Sequence, residues 1–461
     1  MISLISRRLP VALLVVFALH FSAPQAPAQE TTADPVVDYS RSILFGVPHR
    51  FEDAAAALRE RGNPDVAAIM ILSMRYNRLM TSELSPLLTE LTGHEAADWF
   101  DWMLWQEANP GIEPHPSFTE LKFDIFRRID PNFMRFFRDE ETLARMQIRL
   151  EEITWGGVPV DGIPSLDNPD LIAASEADYL LDDDLVFGVE INGDARAYPL
   201  RIMGWHEMFN EVIGGVPVAL AYCTLCGSGI LFETQVEGRE EPFVFGSSGL
   251  LYRSNKLMFD RQTDSLWNQF TGQPVVGPLV GSGIELKIRP VAITSWAKWR
   301  DRHPGTKVLS IETGHNRDYG SGVVYNDYFA SPDLMFPARV DETQAKQKDY
   351  VYGIRDFAAS KAWPISAFEG GAVINDIIGN REIVLIGDAA TRTVRAYDRG
   401  GRTFMADGDG LKTDEGAWQI GEEALTGPNG DRLPRVPGHI AYWFAWDGYL
   451  GAESELYSAV N

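Results

Sequence analysis

Cys223 and Cys226 are the only cysteines among 461 residues, and they form one C-x-x-C-G unit, Cys223-Thr-Leu-Cys226-Gly227. Sulfurs at this spacing can bond to each other, exchange with the thiols of a partner, or hold a soft metal. The apolar runs on both sides, Val218–Tyr222 and Gly229–Phe232, predict strands, so the unit sits on a strand–turn–strand element. A redox pair with an acidified thiol more commonly opens a helix. A turn between strands is the geometry of a metal-binding knuckle, in which the glycine permits the tight turn and backbone N–H groups point at sulfur. Such a half-site needs further ligands. His206, in Trp205-His206-Glu207 just ahead of the cysteine strand, is the strongest candidate, and Met258 could add a thioether. Two cysteines, a histidine and a methionine suit copper; with water or a carboxylate in place of the thioether, the set suits zinc. His303 and His315 lie further on and could fold back, whereas His49, His94, His115 and His439 lie away from this region.

A second polar group gathers Tyr252, Asn255, Asp260, Arg261 and Trp267. Together with Trp205 and Glu207 it has the density of hydroxyl, amide, guanidinium and aromatic groups that lines a pocket for a small polar ligand. The competing reading is a buried Asp260–Arg261 pair that organises β-turns. The glycine-rich runs contain neither a strand-to-helix G-x-G-x-x-G nor a P-loop, so no nucleotide cofactor is expected. No G-x-S-x-G, H-E-x-x-H or EF-hand pattern occurs.

The elements that must position these residues fall into two regions, giving an α+β fold. Residues 29–40 read as a flexible leader. Apolar residues at helical spacing over Phe51–Arg61, Asp65–Tyr76, Ser82–Leu91 and Glu95–Glu107 predict a helical domain over 29–150, punctuated by Asn63-Pro64, Gly93 and Asn109-Pro110-Gly111. Its Trp99, Trp102, Met103 and Trp105 stripe is a core face, or else the docking surface of a protein partner. From Trp155 onward short strands dominate: Leu185–Ile191, Ala195–Leu200, Val216–Tyr222, Gly229–Thr234, Phe243–Gly246 and Leu257–Asp260, with short helices over Trp205–Val212 and Ser295–Arg302.

This β-rich part, barrel- or sandwich-like, is duplicated. At an offset of 165 residues Val186–Val189 aligns with Val351–Ile354, Ala197-Tyr-Pro-Leu200 with Ala362-Trp-Pro-Ile365, and Asn210–Gly214 with Asn375–Gly379. The first copy, within 151–345, carries the chemistry; the second, within 346–461, keeps only the scaffold. Trp205-His206-Glu207 falls on Gly370-Gly371-Ala372, and Cys223 and Cys226 fall on Asp388 and Thr391.

The amino terminus reads as a signal peptide. Arg7 and Arg8 precede the apolar run Leu9–Phe21, and Ala26-Pro27-Ala28 is a cleavage site, so residues 1–28 would be removed and the protein exported, periplasmic or secreted. The formal charge is −24 for the whole chain. Such acidity argues against nucleic acid and against anionic lipid as partners. No later segment is long and apolar enough to span a bilayer.

Asp161-Gly-Ile-Pro164, Ala197-Tyr-Pro-Leu200, Trp205-His-Glu207, Tyr222-Cys-x-x-Cys-Gly227, Ser248-Gly-Leu-Leu-Tyr252, Ser254-Asn255, Met258-x-Asp-Arg261 and Ser265-Leu-Trp267 occur in that order. Over roughly residues 153–370 the chain resembles the bacterial exported proteins grouped as domain of unknown function 3179. The resemblance implies that Trp205, His206, Cys223, Cys226, Asp260 and Arg261 belong to the family pattern; it implies no reaction. Three readings therefore stand: a copper or zinc site at Cys223, Cys226 and His206, a thiol–disulfide oxidoreductase, or a ligand-binding or scaffold module with a structural disulfide.

Overall fold

The computed structural model describes residues 34–46, 48–77, 80–356, 359–408 and 410–458; the expected signal peptide lies outside them. The expected flexible leader is already helical where it is described. Asp34 accepts a hydrogen bond from Val36 N at 3.0 Å and Pro35 occupies the first turn, so α1 (Pro35–Leu44) begins on a capped start. α2 (Pro48–Arg61), α3 (Ala67–Tyr76), α4 (Thr81–Thr92) and α5 (Trp99–Ala108) follow, with Gly93 ending α4 in the left-handed conformation. Met70, Leu84, Leu87, Leu88 and Trp102 share their core. Within the aromatic stripe, Trp102 and Met103 are buried in that core, while Trp99 and Trp105 pack half-buried at its edge. α6 (Ser117–Ile129) ties the helices to the β-rich part. Lys122 on α6 donates to the carbonyls of Leu150 and Ile153 at 2.5 and 2.6 Å, and Phe126, Phe133 and Phe136 share one apolar cluster with Leu250, Leu257 and Phe259.

In the first copy β1 (Leu185–Ile191) and β2 (Asp194–Pro199) form a hairpin that runs into α7 (Leu200–His206). The helix thus ends where one was expected to begin. Glu207 terminates it at φ 54°, and Met208–Ile213, expected to be helical, is strand β3, because its buried apolar residues pair in register with β4 (Val216–Cys223). β5 (Ser228–Glu233) completes this sheet. β6 (Phe245–Tyr252), longer and later than expected, pairs with β7 (Asn255–Asp260) and lies in a second sheet. Strand β8 (Ala292–Ser295) returns to β1 and leads into α8 (Trp296–Arg302); β9 (Lys307–Leu309) then joins β2 in parallel.

The second copy repeats this plan. β10 (Tyr350–Asp356), β11 (Ala359–Pro364), β12 (Ala372–Ile378), β13 (Arg381–Asp388), β14 (Thr393–Asp398), β15 (His439–Tyr442), α9 (Trp443–Leu450) and β16 (Ser454–Leu456) follow in the same order, with β12–β14 inside an eight-stranded sheet. Details agree at single-residue level. Ala292 faces Gly188, and His439 faces Gly353. A Cβ at Gly188 would run into the Trp299 ring, and one at Gly353 into Trp446. Asn210 clamps Phe245 through two backbone hydrogen bonds of 2.9 and 2.8 Å, and Asn375 clamps Phe404 through two of 2.8 Å. The buried trio Arg196, Glu211 and Tyr198 returns as Lys361, Asp376 and Trp363. Each copy's strand–helix unit also leans on the other copy. Tyr442 N, at the end of β15, donates to Cys226 O at 2.8 Å, and Lys298 on α8 pairs with Asp388.

Candidate functional site

The β4–β5 turn carries Cys223 and Cys226, joined as a disulfide. The turn is also closed by backbone: Cys226 N donates to Cys223 O at 3.1 Å and Gly227 N to Thr224 O at 3.2 Å. Gly227 sits at φ +60°, and a Cβ there would come within 2.9 Å of the Tyr350 ring and 3.3 Å of the Tyr442 ring, so glycine is required. Cys226 is fully buried and Cys223 nearly so. Tyr328 covers the turn, its hydroxyl donating to Leu225 O at 2.8 Å.

Beneath the disulfide lies a buried polar cluster. Thr224, between the two cysteines, donates its hydroxyl hydrogen to Glu207 Oε1 at 2.8 Å. Lys256 Nζ reaches Glu207 Oε2 at 3.3 Å and its backbone carbonyl at 3.2 Å. Burial pulls the Lys256 ammonium below the usual lysine value, and Glu207 opposes that shift by favouring the charged form. Glu207 O also accepts from Tyr222 N at 2.8 Å, which fixes the αL residue that ends α7 against the cysteine strand.

A second turn points at Cys226. The β6–β7 hairpin turns through Arg253 and Ser254, both at positive φ (48° and 61°), in a place that glycine and asparagine normally take. Two non-glycine residues held this way cost on the order of 1 kcal/mol each or more. Ser254 O lies 3.5 Å and Asn255 Oδ1 3.3 Å from Cys226 Sγ. Asn255 is fully buried, and its Nδ2 has no hydrogen-bond partner among the described residues. The amide carries both an acceptor and a donor, so either orientation serves a sulfur: oxygen toward an S–H, nitrogen toward a thiolate.

His206 does not join the cysteines. Nδ1–H donates to Pro164 O at 2.9 Å, and Nε2 accepts from the Tyr319 hydroxyl at 2.6 Å, itself 2.6 Å from Thr313 Oγ1. Burial holds the imidazole down at about 4, so it is neutral and serves as a clamp for the 313–319 segment. Met258 is packed with Trp267, Phe245 and Met208 in a cluster separate from the one containing the sulfurs. The expected Cys223, Cys226, His206 and Met258 set is therefore not assembled, and among the described residues no group of three or more His, Cys, Asp or Glu side chains could hold a metal ion.

The expected ligand pocket also divides. Glu207 and Asn255 belong to the cysteine site. Asp260 and Arg261 do not pair: Asp260 accepts from Trp267 Nε1 at 2.9 Å and Thr263 N at 2.6 Å, organising its own hairpin, while Arg261 binds Asp161 through two contacts of 2.9 and 3.0 Å. Tyr252 packs on Tyr449, and Trp205 donates to Asp318 O at 2.8 Å.

The duplicated fold with one chemically equipped copy matches a known group. A family model described as Protein of unknown function (DUF3179) matches residues 160–453. The chain belongs to that family. The match runs past residue 370, where the resemblance was expected to end, and takes in most of the second copy. No curated protein and no solved structure matches the chain. Thr224 and Lys256 were not singled out by sequence. Their signals were slight: a hydroxyl inside the C-x-x-C, and a lysine directly ahead of the apolar run Leu257–Phe259.

Proposed function

We propose that this protein is an extracytoplasmic thiol–disulfide oxidoreductase working through Cys223 and Cys226. The observation that carries the reading is the equivalent turn of the second copy, which closes without a covalent bond: Asp388 accepts hydrogen bonds from Ala390 N and Thr391 Oγ1. The turn does not need a disulfide to form, so the sulfur pair is free to be kept for chemistry. The neighbours support this. In the second copy Ala372 and Ala389 stand at the places of Glu207 and Thr224, so the polar cluster is lost together with the cysteines.

In the reaction, a thiolate of a partner dithiol bonds to Sγ of Cys223, the less buried cysteine, and the Cys223–Cys226 bond breaks with its electron pair on Cys226. The Asn255 amide receives that thiolate. The partner's second thiolate then attacks the mixed disulfide and releases Cys223. The two thiol protons of the partner end on Cys223 and Cys226, and Glu207, reached through Thr224, is the carboxylate through which a proton passes. Export, expected from residues 1–28, would place the pair where disulfides persist.

Equilibration in dithiothreitol or glutathione buffers, with trapping of free thiols, tests the reading. The expected potential lies above about −270 mV, in the range of dithiol oxidoreductases; a pair still oxidised below about −300 mV would show a structural disulfide. The copper or zinc reading requires His206 to free one ring nitrogen, giving up either Pro164 or Tyr319. Stoichiometric zinc or copper(I) held by reduced protein and lost on His206→Ala would favour it instead.

A further inference from the structure

The second copy carries a cavity beside the place that corresponds to Trp205 and His206 of the first. Trp205 and His206 at the end of α7 give way to Gly370 and Gly371, both at positive φ (72° and 82°), and a Cβ at either would meet nothing within 4 Å. A cavity of about 790 Å³ lies elsewhere on the surface, but the one beside these glycines, about 750 Å³, has the walls of a duplicated site. Val373, Ile386 and Ile420 form its apolar side, and α8 of the first copy contributes Lys298 and Arg302.

The charges of this wall are mostly spent. Lys298 is paired with Asp388, and Arg395 is held by Glu422 through contacts of 2.7–3.0 Å, while Asp301 stays exposed beside an Arg300 that pairs with Asp182. Arg302 differs. It gives Nη1 to the Ile420 carbonyl at 2.9 Å and makes no ion pair among the described residues. Arg302 is exposed and lines the cavity, so its guanidinium is open to an incoming anion.

We propose that this cavity is a second ligand site, which takes a small organic anion with its carboxylate or phosphate on Arg302 and its body against Val373, Ile386 and Ile420. A guanidinium fork matches either head group in bidentate geometry, and the volume suits a small-molecule ligand. The site is independent of the cysteine turn.

Calorimetric titration of the full exported chain with phenyl phosphate and benzoate, and with benzyl alcohol as the neutral control, tests this. The expected result is one phenyl phosphate or benzoate per chain and no benzyl alcohol. Arg302→Gln should weaken binding at least tenfold, and Val373→Trp, which fills the cavity from a strand position on its own face, should abolish it. Cys223→Ser/Cys226→Ser should leave it unchanged. Tighter phenyl phosphate identifies a phosphate ligand, and tighter benzoate a carboxylate. Binding of neither anion, equal binding of benzyl alcohol, or full affinity in either cavity variant overturns the proposal.

Discussion

Asp388 holds by hydrogen bonds the turn that Cys223 holds by a covalent bond. Its Oδ1 accepts from Ala390 N at 3.0 Å and its Oδ2 from Thr391 Oγ1 at 3.3 Å, while Cys223 bonds to Cys226 across the same three-residue step. The residue after each turn, Gly227 or Arg392, is left-handed in both copies. The two turns meet on Tyr350, whose ring abuts Gly227 on one side and lies 4.3 Å from the Arg392 guanidinium on the other.

A graft of one turn onto the other follows from this. Cys223→Asp/Cys226→Thr should fold, losing no more than the roughly 2 kcal/mol that closing so short a loop is worth in the chain-entropy model. It should lose all thiol exchange. Urea unfolding gives the first quantity and turnover of a dithiol substrate the second; loss of the native fold would show that the bond is structural.

The Glu207–Lys256 pair makes a separate prediction, because a buried charge without its partner is expensive. Lys256→Met should destabilise the protein by about 3–5 kcal/mol, whereas Lys256→Met with Glu207→Leu should recover much of that loss. Glu207→Gln keeps the shape and the Thr224 contact but cannot take up a proton in the same way. It should therefore slow thiol exchange and alter its pH profile, and it should also lower the urea midpoint, because the buried Lys256 ammonium loses its counter-charge. An unaltered profile would remove Glu207 from the proton path.

How far the sequence reached follows from the separation of the partners. The strands around Cys223 and Cys226, the duplication and the lost cysteines are local patterns in fixed register, and they were legible. The site's polar partners were not, since Lys256 lies 49 residues from Glu207 and the two meet only when separate sheets pack together. His206 misled for a related reason. It vanishes from the second copy along with the cysteines, yet its partners are Pro164, 42 residues away, and Tyr319, 113 residues away. Asp260 and Arg261 are adjacent in sequence but turn to Trp267 and to Asp161, 100 residues back.

His206 gives the stability a defined acid limb. Its folded value of about 4 lies below the ordinary 6.5, so between these values the unfolded chain binds the extra proton. The contribution is fully present above about pH 6.5 and is lost as pH falls toward 4, to a total of about 3 kcal/mol. His439, also held at about 4 by burial, adds to the same limb. Urea midpoints from pH 7 to 4 should fall steeply in the native chain and less steeply in His206→Gln. Parallel curves would show that His206 does not titrate with unfolding.

Access to the disulfide is the last constraint, and Tyr328 is where it can be measured. Its hydroxyl bonds to Leu225 O inside the C-x-x-C turn, and its ring carries Lys348 Nζ 3.4 Å from the centroid, so one side chain fastens the covering segment to the turn. Tyr328→Phe removes the hydrogen bond, worth roughly 1 kcal/mol, and keeps the ring. If a thiol reaches Cys223 by lifting this cover, the variant should be reduced by dithiothreitol about fivefold faster than the native chain, since a 1.4 kcal/mol change corresponds to tenfold. The potential should stay within a few millivolts, because the hydrogen bond closes the cover over both redox states. A reduction rate equal to the native one would place the path of entry on another side of the turn.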